Sequence, residues 1–307
     1  MDITYLLFLQ KMRLATCGIF DNFMELISEF AMPLVSMFII CLVYWCLNKN
    51  KGKVVMLSYV FCGLFTPLLK LQFAVYRPFM RCSDLHPLAT PTGYSFPSFH
   101  STKAAGLYLS IANQFREIKV VKYVSLLLIP LIMFSRNWLG VHTPQDVLVG
   151  FLVGAVSWII ALNLSRKLDE KKNLDWLLLL VFVVLAYFAI QYFLTKPYPM
   201  ATDSAGKLLI DPVRKHKDVF EAFGIVIGYF AGTILERRFV DFAVPEKLGK
   251  KLSVLFLGYM IFLFIHTVCA SVFFLVCAKN VATFFSYFLD IFYVTFLFPI
   301  IIKKFFN

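Results

Sequence analysis

Two stretches of the sequence carry ionisable side chains at the edges of long apolar runs. The stretch SRNWLGVHTPQD, residues 135–146, contains an arginine, a histidine and an aspartate, and the stretch FPSFHSTKAAG, residues 96–106, contains a second histidine. One histidine could attack phosphorus through a ring nitrogen, and another could protonate the alcohol that leaves. If the fold brings both together, they can divide a displacement at phosphorus between a nucleophile and an acid.

Both stretches also predict the start of a helix. In HTPQD, Thr143 is a good N-cap, Pro144 suits the first helical position, and Asp146 lies three residues after the cap. Ser98 can cap a second helix, with His100 in its first turn. Helix N-termini present N–H groups and a partial positive charge, so they bind anions such as phosphate.

Three cations accompany these helix starts, namely Lys70, Arg77 and Arg136. The planar fork of an arginine suits phosphate oxygens in pairs. Because such cations would repel one another without an anion, an anionic substrate group is their simplest partner. Asp146 is close enough in sequence to His142 to hold the second ring nitrogen, as an aspartate orients the histidine of a serine-protease triad. Each residue alone has an ordinary structural explanation, and only the joint pattern indicates a site.

The elements that position these residues must be membrane helices. Of the 307 residues, 60% are hydrophobic and 16% charged, whereas a soluble protein carries about a quarter charged residues. Residues 1–24 contain no secretory signal and predict an interfacial amphipathic helix. Runs of about 20 apolar residues can cross a bilayer as helices. They predict spans at 24–47, 54–76, 99–115, 123–138, 147–165, 174–195, 219–235, 253–278 and 281–302.

The basic residues predict how these spans are oriented. More than half of the lysines and arginines lie in five connections that alternation of the spans places on one side, and the positive-inside rule makes that side cytoplasmic. The stretches with the histidines and the cation set then all emerge on the opposite side and can meet in one pocket. Because the basic residues flank spans and form no stripe, the net charge of +12 does not indicate a nucleic-acid partner.

At these residues the sequence resembles the type 2 phosphatidic acid phosphatase (PAP2) superfamily. KLQFAVYRP fits Lys-x6-Arg-Pro, PSFH is close to Pro-Ser-Gly-His, and SRNWLGVHTPQD fits Ser-Arg-x5-His-x3-Asp. The resemblance covers roughly residues 54–165. It departs from the family pattern at Phe99, which replaces a glycine, and a phenyl ring there could crowd the pocket or narrow the range of substrates.

The resemblance implies a role for each matched residue and no metal or other cofactor. His142 would be the nucleophile that forms a phosphohistidine, Asp146 would orient it, and His100 would protonate the leaving group. The phosphate-binding residues implied are Lys70, Arg77, Ser98 and Arg136.

Together these observations predict an all-α, polytopic transmembrane helix bundle of about eight to nine spans with a PAP2-like core. The predicted organisation is an interfacial segment over 1–23, a catalytic core over 24–172 and additional helices packed on the core over 173–307. Gly224, Gly228 and Gly232 predict close helix packing in the seventh span. We also expect His266 and Asp290, inside the last two spans, to contact each other and fasten that hairpin.

The predicted function is a metal-independent lipid phosphatase of a bacterial plasma membrane, with its active site on the outer face. It would hydrolyse a lipid phosphomonoester or pyrophosphate and contact membrane lipids but no nucleic acid; the sequence leaves the oligomeric state open. Two alternatives stay open. One is a phosphotransferase that passes the phosphoryl group or a headgroup to another lipid instead of water. The other is a non-catalytic lipid-binding or transport protein on the same scaffold.

Overall fold

The computed structural model describes residues 2–171, 173–203 and 205–306. Helices make up 78% of the chain, and the described residues form no strand, only an isolated bridge between Thr202 and Leu208. The predicted all-α class is confirmed. Three bounds of the predicted domains, Met1, Lys172 and Asn307, lie outside the described residues.

The α-helices follow one another with short connections in most places. In chain order they are α1 (Asp2–Ala15), α2 (Asp21–Glu29), α3 (Pro33–Cys41), α4 (Lys49–Phe73), α5 (Pro78–Arg81), α6 (Phe99–Gln114), α7 (Lys119–Trp138), α8 (Pro144–Glu170), α9 (Leu174–Thr195), α10 (Pro212–Lys215), α11 (Lys217–Leu235), α12 (Leu248–Phe264), α13 (Ala270–Val276), α14 (Lys279–Phe292) and α15 (Phe298–Phe305). Segments of π-helix continue four of these helices, at Leu42–Leu47, Glu236–Val240, Ile265–Cys269 and Tyr293–Leu297.

Seven described helical segments are long and apolar enough to cross a membrane. They are Lys49–Arg81, Lys119–Trp138, Pro144–Glu170, Leu174–Thr195, Pro212–Val240, Leu248–Val276 and Lys279–Phe305. The predicted span 24–47 is instead a pair of helical segments, Asp21–Glu29 and Pro33–Leu47, bent by 47° at the break; counting it as one span gives eight. The predicted span 99–115 corresponds to α6, which has only 16 residues. The polytopic membrane architecture is therefore confirmed.

Contacts divide the chain into two compact units that alternate along the sequence. The first unit comprises Met1–Ser36, Phe65–Ile159 and Lys196–Lys215, and the second comprises Met37–Leu64, Ile160–Thr195 and His216–Asn307. The units are interleaved, whereas the predicted domains are consecutive. Every predicted site residue belongs to the first unit.

Close helix packing in the first unit brings the two predicted helix starts together. A Cβ atom at Gly150 of α8 would lie 2.6 Å from the carbonyl oxygen of Ser98, and one at Gly154 would lie 2.3 Å from that of Thr102. Only glycine therefore allows the first turns of α8 to approach α6 this closely. The result is that the start of α8, with His142 just before it, lies beside the start of α6.

The N-terminal helix α1 also packs within this unit. Leu6 and Leu9 are buried, and Arg13, although charged, is only 6% exposed because its Nη2 donates to the carbonyl oxygen of His86 at 2.7 Å. The Gln10 side chain accepts from the backbone N–H of His86 at 2.7 Å. A helix therefore occupies Asp2–Ala15 of the residues predicted to form an interfacial helix, and it contacts the loop that leads to the site, whereas its interfacial position stays a prediction.

The second unit confirms both contacts predicted for it. Cβ atoms at Gly224 and Gly228 of α11 would lie 2.5 Å and 2.7 Å from carbonyl oxygens of α14, so the glycine stripe is a packing surface. His266 Nδ1 lies 2.7 Å from Asp290 Oδ2, which joins the two helices of the hairpin as predicted.

Candidate active site

The start of α8 has the predicted capping geometry. The Thr143 backbone N–H donates to Asp146 Oδ2 at 2.8 Å, and the Asp146 backbone N–H donates to Thr143 Oγ1 at 3.3 Å. These reciprocal bonds satisfy two N–H groups of the helix start. They also fix the Asp146 carboxylate directly below His142, which precedes the cap.

The Asp146 carboxylate meets the His142 ring partly through a serine. His142 Nδ1 lies 3.5 Å from Asp146 Oδ2. Ser95 Oγ lies 3.2 Å from the same ring nitrogen and donates to Asp146 Oδ2 at 2.6 Å. All three residues are at most 3% exposed. The predicted pairing of His142 with Asp146 is present in the geometry, and Ser95 was not predicted because no motif marks it.

Arg77 contacts the other nitrogen of the same ring. Its Nη1 lies 3.3 Å from His142 Nε2, and the guanidinium is fixed by bonds to the carbonyl oxygens of Gly93 at 2.9 Å and Val141 at 3.1 Å. An arginine can only donate, so Nε2 is the acceptor and the ring proton resides on Nδ1, facing Asp146 and Ser95. This tautomer leaves a lone pair on Nε2, the atom next to the cationic group.

Burial keeps the His142 imidazole neutral. The ring is 2% exposed. Burial lowers the pKa of His142 well below its usual value of about 6.5. The hydrogen bond to Asp146 raises this pKa, whereas the charges of Arg77 and Lys70 lower it. The neutral form, which can act as a nucleophile, is therefore the one present at neutral pH.

Lys70 contributes to the site mainly through the loop that carries Ser95. Its Nζ donates to the carbonyl oxygens of Tyr94 at 2.7 Å and Ser95 at 2.9 Å. The chain turns after α4 at Ala74, whose backbone lies in the left-handed region with φ of 50°. The Ser95 backbone N–H donates to the carbonyl oxygen of Val75 at 2.7 Å, which ties the same loop to the end of α4. The ammonium thus fixes the loop beneath His142 and adds positive charge there.

The start of α6 differs in one detail from the expectation. Ser98 occupies the N-cap position, but its side chain makes no capping bond to the backbone. Its Oγ instead accepts from Ser101 Oγ at 3.0 Å, and its backbone N–H donates to the carbonyl of Asp146 at 2.8 Å. A nearby hydroxyl and the close approach of α8 compete with the cap. Ser98 therefore links α6 to α8.

His100 and Arg136 complete the cluster at a greater distance. His100 lies in the first turn of α6, as predicted, and within electrostatic range of Arg136 and His142. Arg136 is 5% exposed, and its Nη1 donates to Ser28 Oγ of α2. The predicted site residues therefore occupy one unit, with His142, Asp146 and Arg77 in the tightest group.

Two further contacts were not predicted from the sequence. Ser28 holds a guanidinium from 108 residues away, and nothing in its local sequence marks it. Asn137 Nδ2 donates to the carbonyl oxygen of His142 at 2.9 Å; its position inside the Ser-Arg-x5-His stretch could have indicated a role. Among the described residues, no group of three or more His, Cys, Asp or Glu side chains is placed to hold a metal ion.

Comparisons with known proteins match two separate parts of the chain. Residues 51–170 match the model of the PAP2 superfamily, and residues 220–306 match that of the PAP2 superfamily phosphatase transmembrane extension. The undecaprenyl-diphosphatase BcrC of Bacillus subtilis is 32% identical over 143 residues, which are 45% of this chain and 71% of the relative. The chain belongs to the PAP2 superfamily.

Two other relatives of this PAP2 protein differ in how much of their length is matched. An undecaprenyl-diphosphatase of Sulfolobus acidocaldarius is 32% identical over 38% of this chain and 56% of the relative. The phosphatidylglycerophosphatase B of Bacillus subtilis is 28% identical over 47% of this chain and 71% of the relative. No solved structure matches the chain significantly. The second family match corresponds to the helices that follow the predicted core.

Proposed function

We propose that this PAP2 protein is a membrane-embedded phosphatase that hydrolyses a lipid phosphomonoester or diphosphate through a phosphohistidine. The observation that carries the proposal is the His142 ring. Its Nδ1 side is held by Asp146 and Ser95, and its Nε2 lies 3.3 Å from a buried guanidinium of Arg77. A nucleophile is thus held in one tautomer beside a cation that can bind the oxygens of a phosphate.

In the first step, the phosphate oxygens replace His142 Nε2 as acceptors of the Arg77 Nη1 N–H, and the lone pair of Nε2 then attacks phosphorus. The N–P bond forms as the bond from phosphorus to the leaving oxygen breaks, and that oxygen keeps the electron pair. His100, which enters the step protonated, donates a proton to the leaving oxygen. The His142 ring becomes positively charged, and the Asp146 carboxylate near Nδ1 stabilises that charge, as the aspartate of a serine-protease triad stabilises its charged histidine.

In the second step, water attacks the same phosphorus. His100, neutral after the first step, accepts the proton of the water, and the electrons of the N–P bond return to Nε2. Inorganic phosphate leaves, and both histidines regain their starting forms. No metal takes part in this proposal, because Arg77, Lys70 and Arg136 already supply positive charge around the reacting phosphate.

The proposed substrate is a lipid, and the proposed site of reaction is the non-cytoplasmic face. The three relatives named above are called undecaprenyl-diphosphatases and a phosphatidylglycerophosphatase. The described part of the chain has seven helical segments that can span a membrane, or eight with the bent pair, and the basic connections predict that the start of α8 faces outward. In a bacterium this face would be the outer surface of the plasma membrane.

The test is phosphate release by the detergent-purified protein from a panel of lipid monophosphates and diphosphates, with and without a chelator. We expect phosphate release to continue in EDTA and to be inhibited by vanadate, an oxyanion that can bind to the cations of the site. We expect the His142→Asn variant to release no phosphate. Complete loss in EDTA that a divalent ion restores would replace the cation mechanism with a metal-dependent one. Binding of the lipids without release would make the protein a non-catalytic binder, and transfer to an added alcohol in place of water would make it a phosphotransferase.

A further inference from the structure

One buried cation of the first unit has no role in the reaction as proposed. Lys103 lies in α6 and is 3% exposed. It follows His100 by three residues, so both side chains share one face of the helix. An ionisable residue inside a membrane helix is costly and usually serves a function. Lys103 is therefore the residue of this unit whose role most needs an explanation.

The ammonium of Lys103 reaches back to the first turn of α6. Long side chains in helices lean towards the N-terminus, and Lys103 Nζ lies 4.1 Å from the centre of the Phe99 ring. A ring face attracts a cation. Phe99 replaces the glycine expected from the family pattern, and its ring, one residue before His100, holds the Lys103 ammonium.

The cations that act most strongly differ between the two histidines of the site, although Arg77 acts on both. Arg77 and Lys70 act most strongly on His142, whereas Arg136 and then Lys103 are the strongest side-chain cations acting on His100. In the proposed reaction His142 attacks and His100 faces the leaving oxygen. Lys103 is consequently a cation of the leaving-group side.

The charge of the leaving group depends on the substrate. A phosphomonoester releases an alcohol, which needs a proton and carries no charge once protonated. A lipid diphosphate releases a lipid monophosphate, which leaves with the bridging oxygen and its electron pair and retains negative charge. A cation on the leaving-group side therefore favours the diphosphate over the monoester.

We propose that Lys103, held by the ring of Phe99, binds the second phosphate of a lipid diphosphate and makes this protein selective for diphosphates. The proposal rests on the proposed function. As the N–P bond to His142 forms, the bond from phosphorus to the bridging oxygen breaks. The departing lipid monophosphate then pairs with the Lys103 ammonium.

The experiment compares kcat/KM for a prenyl diphosphate and for the prenyl monophosphate of the same chain. We expect the ratio of diphosphate to monophosphate to fall about 10- to 100-fold in Lys103→Met, the effect of one charge-assisted hydrogen bond. Phe99→Leu, which keeps an apolar side chain without the ring, should lower the ratio less, and Phe99→Tyr should preserve it. Lys119→Met, at the first residue of α7, is the matched control and should leave the ratio unchanged.

The outcomes separate this proposal from the function on which it rests. If the unchanged protein releases phosphate from neither substrate, the proposed function fails. If it does release phosphate, an equal loss on both substrates in Lys103→Met would overturn the role of Lys103 alone. If Lys103→Met does not fold, an unchanged ratio in Phe99→Leu would overturn the proposal as well.

Discussion

Two histidine–aspartate pairs can be compared among the described contacts, one in each unit, and their surroundings differ. In the first unit, His142 and Asp146 are 3.5 Å apart, nearly fully buried, and accompanied by Ser95, Arg77 and Lys70. In the second unit, His266 and Asp290 are 2.7 Å apart, and the histidine side chain is 36% exposed. The shorter contact is the one between His266 and Asp290. Among the described contacts, no arginine lies against the second ring nitrogen of His266.

This difference shows that closeness does not identify a catalytic pair. Asp290 Oδ2 lies at hydrogen-bond distance from His266 Nδ1, and this contact joins two helices. The Asp146 carboxylate divides its contacts among Ser95, Thr143 and His142, and the Arg77 guanidinium faces the Nε2 lone pair of the ring. The feature that indicates chemistry is the set of groups around the imidazole. The comparison therefore predicts opposite consequences for equivalent substitutions in the two pairs.

The largest effect is expected for His142→Ala. Loss of the nucleophile should lower kcat by about 10⁴-fold or more, as for nucleophiles of other covalent enzymes. Phosphate release measures it, and the thermal unfolding midpoint in detergent checks that the fold is retained. Activity within about tenfold of the original protein would show that the two pairs do not differ in the way proposed.

Asp146→Asn should have the next largest effect, about 10³- to 10⁴-fold on kcat. An amide cannot stabilise the charged imidazole, and it can favour the wrong ring tautomer. The matched change in the second unit, Asp290→Asn, should leave kcat within about twofold, because that carboxylate joins two helices of its own unit through His266. Equal losses in the two variants would remove the distinction between the pairs.

His100→Ala should lower kcat on a lipid phosphate by about 10²- to 10³-fold, because it removes a positioned acid. A nitrophenyl phosphate, whose leaving group needs no proton, should partly restore this variant but not His142→Ala. Restoration of both variants to the same extent would contradict the assignment of separate roles to the two histidines.

The pH dependence tests the environment of His142. Because burial lowers its pKa below the usual value of about 6.5, the neutral nucleophile persists as the pH falls through that value. We expect kcat/KM to lose activity to His142 protonation only below about pH 6.5. The midpoint of this pH profile should not move when a substrate whose phosphate has a different pKa is used. A midpoint above about pH 6.5 that is the same for both substrates would show that the His142 ring is not held neutral.

The smallest effect is expected for His266→Ala. The pair joins two membrane helices, where such hydrogen bonds contribute about 0.6 to 1.7 kcal/mol to stability. Its loss should lower the unfolding midpoint slightly without changing kcat or KM. A selective loss of kcat at unchanged stability would mean that the second pair takes part in catalysis.

The sequence predicted those parts of the site that depend on local spacing. The capping bonds between Thr143 and Asp146 join residues three apart, and the hydrophobic runs determined most of the spans. Contacts between distant residues were not predictable in the same way. Ser95 and Ser28 reach the site only after α4, α6, α7 and α2 have packed, and serine is common in positions without a function.

Two details of the predicted fold differ in the structure, each for its own reason. The run at 24–47 is apolar enough for one span although it contains Glu25, Glu29 and Pro33, and hydropathy averaged over the run did not show the break between α2 and α3. At Ser98, the preference of serine for N-cap positions was outweighed by a neighbouring hydroxyl on Ser101. The His266–Asp290 contact, by contrast, followed from helical rise along a hairpin, because a tight turn fixes the depth of both residues.

The most direct test of the central claim is capture of the covalent intermediate. A substrate with a labelled terminal phosphate is mixed with the protein, the reaction is quenched under alkaline conditions within milliseconds, and the labelled peptide is sequenced. We predict label on His142 in the unchanged protein, increased label in His100→Ala with a good leaving group, and none in His142→Ala. Phosphate release at full rate with no label on His142, or with label on another residue, would contradict the account.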